Sequence, residues 1–175
     1  MIVIAGLFGL AACENGDPGC YEPQVVSAGI GYQLRDTQLV DDTVQLDPLI
    51  VVQDTLDIFE DSIMASPEME VLNESIPLLV IGNNDTRNLG IAFNQAKDSI
   101  RYRFRTDTAS AVYDTITIHY SSTLHFISNN CGYNYYFGIK NVTHTTHMLD
   151  SAAVINNEVT EASTRNVVFY FKRNF

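Results

Sequence analysis

The chain has no tryptophan, and its ten Lys and Arg are outnumbered by 21 Asp and Glu, for a formal net charge of -11 over 175 residues. A surface this poor in cations cannot neutralise a phosphate backbone, which argues against nucleic acid as a partner. An anionic bilayer repels the same charge, so membrane association has to come from something other than a basic patch. No apolar run reaches the ~20 residues that a spanning helix needs. Signatures of chemistry are missing as well: there is no Gly-x-Ser-x-Gly nucleophile elbow and no Asp-x-Asp-x-Asp-Gly calcium loop.

What is present starts with residues 1–13, an uncharged apolar run that ends in Leu10-Ala11-Ala12-Cys13. Its length suits a signal h-region, and small residues before a cysteine fit the bacterial lipobox, in which the thiol carries a diacylglycerol. The expected organisation is a signal peptide over 1–12, a lipidated tether over 13–23 beginning at Cys13, and one domain over 24–175. Three cysteines are an odd count for a secreted chain. With Cys13 lipidated, Cys20 and Cys131 remain and can pair in an oxidising compartment, closing a loop whose chain-entropy stabilisation is on the order of 4 to 5 kcal/mol.

From residue 24 onward the hydrophobic pattern has period two. Ile116, Ile118 and Tyr120 alternate with Thr115, Thr117 and His119, and Ile100, Tyr102 and Phe104 alternate with Arg101, Arg103 and Arg105. Further strands are expected near 24–34, 49–53, 76–81, 89–94, 123–128, 133–142, 152–156 and 166–172. Turn-forming Asn, Asp and Gly clusters at 82–85, 94–98, 128–130 and 156–157 separate them. Only residues 55–69 show helical spacing, through Leu56, Phe59 and Ile63, and a strand pair fits there equally well. The pattern predicts an all-β, antiparallel two-sheet sandwich, immunoglobulin-like, of seven to nine strands.

The lipobox, the second cysteine with its proline (Cys20, Pro23), and the segments 76–79, 98–104, 114–120 and 126–133, ending in Cys131-Gly132-Tyr133, together resemble a domain-of-unknown-function family of Bacteroidota cell-envelope lipoproteins. The resemblance implies a small all-β lipoprotein without an assigned activity. It supplies location and fold but no chemistry.

Candidate constellations are sparse. His144 and His147, three apart, point to opposite faces of a strand, and His119 could meet His125 only across a hairpin at Ser121-Ser122, so no metal site is expected. The acids at Asp54, Asp57, Glu60 and Asp61 read as a charged edge. Tyr133, Tyr135 and Phe137 share one face of a strand and Tyr136 takes the other, which makes Tyr133, Tyr135 and Tyr136 the possible ligand-facing aromatics; a core role for the odd-numbered set is the favoured reading. Seven Asp-Ser/Thr-apolar steps, among them Asp107-Thr108 and Asp114-Thr115, resemble a glycosylation sequon and equally well mark turns. The expectation is a non-enzymatic lipoprotein without cofactor, held to the membrane through Cys13 in the outer membrane and facing the periplasm or the surface. It would work through an envelope protein partner; the alternative is glycan or small-ligand binding.

Overall fold

The computed structural model describes residues 26–44, 50–64, 66–72, 79–81, 88–162 and 164–172. The proposed signal peptide, the tether, Cys13 and Cys20 lie outside them. Within them the chain forms eleven strands and no helix: β1 (Ser27–Val44), β2 (Ile50–Asp61), β3 (Glu68–Leu72), β4 (Leu79–Ile81), β5 (Asn88–Ala92), β6 (Ser99–Arg105), β7 (Asp114–Ser128), β8 (Gly132–His144), β9 (Ser151–Val154), β10 (Glu158–Val159) and β11 (Arg165–Lys172).

Alternation drives the assembly. In β6 the side chains of Ile100, Tyr102 and Phe104 are buried while Arg101 is exposed. In β7 Ile116, Ile118 and Tyr120 are fully buried. One sheet runs β2-β1-β11-β9, with β5 beside the first half of β1, and the other runs β10-β8-β7-β6-β3-β4. Their apolar faces meet: Tyr32 of β1 stacks on Phe104 of β6 at 6.1 Å between centroids, and Phe104 meets Phe169 of β11 edge-on at 5.3 Å. Burial of each such ring stabilises the sandwich by roughly 2 to 3 kcal/mol. On the outer face of the second sheet the expected arginine stripe is tied down, Arg103 to Glu70 and Arg105 to Glu68 of β3, with both guanidinium groups over the Tyr113 ring at 4.3 and 5.0 Å.

Several expectations are corrected. The strands number eleven among the described residues instead of seven to nine: β3 falls where helical spacing competes with strand alternation, and β10 is only two residues long, so neither shows a period of its own. The sandwich is not purely antiparallel: β1 pairs in parallel with β11, Tyr32 opposite Phe169. Gly29 permits that approach, since a Cβ there would sit 2.3 Å from the Thr164 carbonyl oxygen. Residues 55–69 hold no helix; they complete β2 and begin β3. No hairpin forms at Ser121-Ser122, because β7 runs through it, and the turn comes at 129–131.

Two hairpins outgrow the sandwich, at opposite ends. Ala92 of β5 lies opposite Ser27, the first residue of β1, and the next residue, Phe93, stacks on Tyr120 at 4.5 Å, so Tyr120 marks the end where β1 starts. Beyond Tyr120 the β7–β8 hairpin continues for eight residues of β7, about 26 Å of extended chain. The β1–β2 hairpin leaves the other end, where its register runs from Gln33 opposite Asp61 to Val44 opposite Ile50.

Candidate functional site

The β7–β8 arm is the first candidate. Tyr120 and Phe137 anchor it in the core, and the Tyr120 hydroxyl donates to the Asn94 carbonyl at 2.8 Å while the Ser122 hydroxyl donates to that of Gln95 at 3.0 Å, so residues 93–98 brace its base. Past that brace the inner face carries cross-strand pairs, Leu124 opposite Tyr135 and Phe126 opposite Tyr133. Leu124, Phe126 and Tyr133 are 54, 50 and 65 % exposed, and Phe126 and Tyr133 touch edge-to-face at 5.2 Å. The alternation that fills the core thus runs on into solvent. The favoured core role holds for Phe137, and Tyr135 packs partly against the core, but Tyr133 is out in the open, because among the described residues no strand of the other sheet covers it.

On the opposite face Tyr136 is more than an ordinary surface aromatic. The His125 ring stacks on it at 4.4 Å, and its hydroxyl donates to Glu161, which is the largest influence holding that carboxyl below the ordinary glutamate value. A ring stack beside a carboxylate can receive a polyhydroxylated or weakly cationic group. At the tip Gly132 takes φ +72°, following a three-residue loop, as hairpins of that length require. Beside it, the Cys131 backbone N–H donates to the Ser128 hydroxyl at 3.1 Å.

The other end of the sandwich holds an arrangement that sequence reading missed. Asp114 opens β7 with its side chain fully buried, and four donors converge on the carboxylate: the Thr145 hydroxyl at 2.7 Å and the backbone N–H groups of His147, Met148 and Leu149 at 2.8 to 2.9 Å. Burial works to raise its pKa, but these hydrogen bonds outweigh it and the carboxyl lies below its ordinary value of 3.8. His147, largely exposed, places Nδ1 3.2 Å from the same carboxylate. An open groove of about 800 Å³ adjoins this loop, lined by Leu34, Ser62, Met64, His147, Leu149 and Phe171 among others. At its rim Asp150 is held by Arg35 at 3.0 Å and Lys172 at 3.3 Å. The ring contacts of His147 to Asp114 and to the Thr145 hydroxyl are made through Nδ1, so the Asp-His pair helps to organise the loop.

The remaining expected residues are scattered. His119 and His125 both lie on β7, and no group of three metal-ligating side chains occurs among the described residues. Asp57 is bound by Arg35 at 2.7 Å and Asp61 by Arg165 at 2.8 Å, so the acidic edge is partly neutralised from β1 and β11. Of the Asp-Ser/Thr steps, Asp107 accepts from the Ala109 N–H at 2.9 Å, a local turn, and leaves the neighbouring Thr108 exposed.

A profile of the Family of unknown function (DUF6452) matches residues 60–171, more than half of the chain. The chain belongs to DUF6452. The DUF6452 match begins at the end of β2 and runs through β11, so it takes in the β7–β8 arm, Cys131 and the Asp114 loop but stops short of β1. No curated protein and no solved structure matches the chain.

Proposed function

We propose that this DUF6452 protein is a lipid-anchored, non-enzymatic component of the cell envelope, an accessory or structural subunit of an outer-membrane assembly that works through protein contacts. The observation that carries the reading is the β1–β2 arm. Leu39, Val40, Leu56 and Phe59 are 67, 43, 55 and 49 % exposed on it, amid eight acids and no base over residues 36–61. β2 is the edge of its sheet among the described residues, with one long side left for a partner. Singly exposed apolar residues are ordinary, but here they lie on both faces of one arm, Leu39 with Phe59 on one and Val40 with Leu56 on the other, beside a free sheet edge and amid charge, which suits a strand that a partner grips from both sides. The anchor rests on the Leu10-Ala11-Ala12-Cys13 lipobox. The Cys20 to Cys131 disulfide belongs to the same proposal: each thiol would give up a proton and an electron to the envelope's thiol oxidant, leaving Cys13 for the lipid. It is supported by reach. Cys131 lies six residues past Phe137 along β8, at about 3.3 Å each, and six residues also separate Cys20 from Val26, the buried residue that leads into β1.

Solubilising native membranes in mild detergent should recover the protein with a stoichiometric partner, and the double change Leu39→Asp with Leu56→Asp should release it while leaving the melting temperature within a few degrees. A wild-type chain that purifies alone from native membranes defeats the reading. A second reading, glycan or small-ligand binding, is favoured by the exposed Tyr133 and by the Tyr136, His125 and Glu161 group. Saturable change of tyrosine fluorescence on titrating soluble envelope glycans, abolished by Tyr136→Ala, would support it.

A further inference from the structure

We propose that the β7–β8 arm is a membrane-contacting element, whose Leu124, Phe126 and Tyr133 rest in the interfacial layer of the bilayer to which the lipid is anchored. The inference rests on the lipid-anchor reading and names the surface that the anchor brings to the membrane. Three observations converge on it.

The first is charge. Residues 115–139 hold no Asp, Glu, Lys or Arg at all, in a chain with 31 such residues. That stretch spans the whole arm, whereas residues 36–61, which include most of the arm at the other end, hold eight acids. A body of net charge -11 approaches an anionic surface at least cost with the inner face and tip of this arm leading, since the carboxylate beside the arm, Glu161, lies against Tyr136 on the opposite face. The second is chemistry. Exposed Leu and Phe beside Tyr form an amphipathic set, apolar in body with one hydroxyl, that suits the boundary between headgroups and acyl chains. The third is reach. Cys131 sits at the tip of this arm, beside Gly132 and Tyr133. If it pairs with Cys20, only seven residues separate it from the lipid on Cys13, at most about 25 Å of chain. The disulfide then keeps the arm's tip within that distance of the bilayer. Lipid on a single cysteine with a few interfacial side chains is a two-signal attachment, firmer than either part alone.

The absence of tryptophan makes the test clean, because one introduced indole is the only such reporter. Full-length lipidated protein carrying Phe126→Trp, and separately Leu39→Trp at the other end, is reconstituted into phosphatidylcholine vesicles with or without brominated acyl chains. Phe126→Trp should lose roughly half of its emission to bromolipid and shift to the blue, as an interfacial indole does, while Leu39→Trp should be unaffected. Adding Cys131→Ser should reduce the Phe126→Trp quenching at least twofold while flotation with vesicles persists. Tyr133→Trp, a larger ring at an exposed position, provides a second reporter should Phe126→Trp fold poorly. Protein that floats with the vesicles yet shows no quenching at 126 or 133 overturns the inference alone. Protein that does not float overturns the anchor reading and the inference with it. Emission at 126 that responds to soluble glycan or to a co-purified protein and not to bromolipid also overturns it, assigning the arm to that partner instead.

Discussion

Asp114 shows how one side chain can organise a loop thirty residues away. Three consecutive backbone N–H groups and a hydroxyl depend on its carboxylate. Asp114→Ala would strand buried donors, and the expected cost is about 3 kcal/mol or more, read as a lowered urea midpoint with an unchanged slope. The pH dependence has a definite sign. The folded-state pKa is depressed, so the unfolded chain takes up its proton first as pH falls. The stabilisation is therefore complete well above the ordinary 3.8 and disappears as pH drops from there through the folded value. Asp57, Asp107 and Asp150 are depressed too, which places them in the same acid window. Acid titration of stability should lose its steepest portion below pH 4 in Asp114→Asn, measured by urea unfolding at each pH. None of this was legible in the sequence, where Asp114-Thr115 reads as a strand entry or a modification step. The partners at 145–149 are brought to it only by the pairing of β7 with β8, which sets Ile116 opposite His144.

At the scale of the element, the strand periods were readable wherever the two faces have different surroundings. β6 alternates apolar against Arg without a break, and its burial follows. The arms were not readable as arms, because period two states which side chains share a face and not whether anything covers that face. Leu124 and Phe126 continue the register of Ile118 and Tyr120, with nothing local to mark where the opposite sheet stops. Ser121 and Ser122 mimic turn chemistry, yet they lie inside β7, where the Ser122 hydroxyl is spent on the Gln95 carbonyl. The true turn depends on Gly132. A Cβ there would meet nothing within 4 Å, so Gly132→Ala isolates the backbone cost of φ +72°. The expected loss is about 1 kcal/mol, visible in the urea midpoint, and Gly132→Asn should recover part of it, since Asn tolerates the left-handed region better.

The whole molecule is closed by its last described strand. β11 lies between β1 and β9 and contributes Val167, Phe169 and Phe171 to the core. Ending the chain at residue 164 should abolish the cooperative unfolding transition altogether, as followed by far-ultraviolet circular dichroism in urea, because β1 would lose one paired edge and the core two buried aromatic rings. The two-sheet architecture was legible from many short alternating strands with no helical period; the parallel pairing was not, since Gly29 and Arg165 meet across 136 positions and no local pattern announces such a partner. That adjacency also bears on timing. Whether the chain is fed out by a ribosome or threaded through a translocase, β1 emerges early and waits, one-sided, for β11, the last of the described strands. Contacts of such long sequence separation close slowly. The incomplete chain is thus kept pliable during delivery, and the sandwich can close only once β11 has followed.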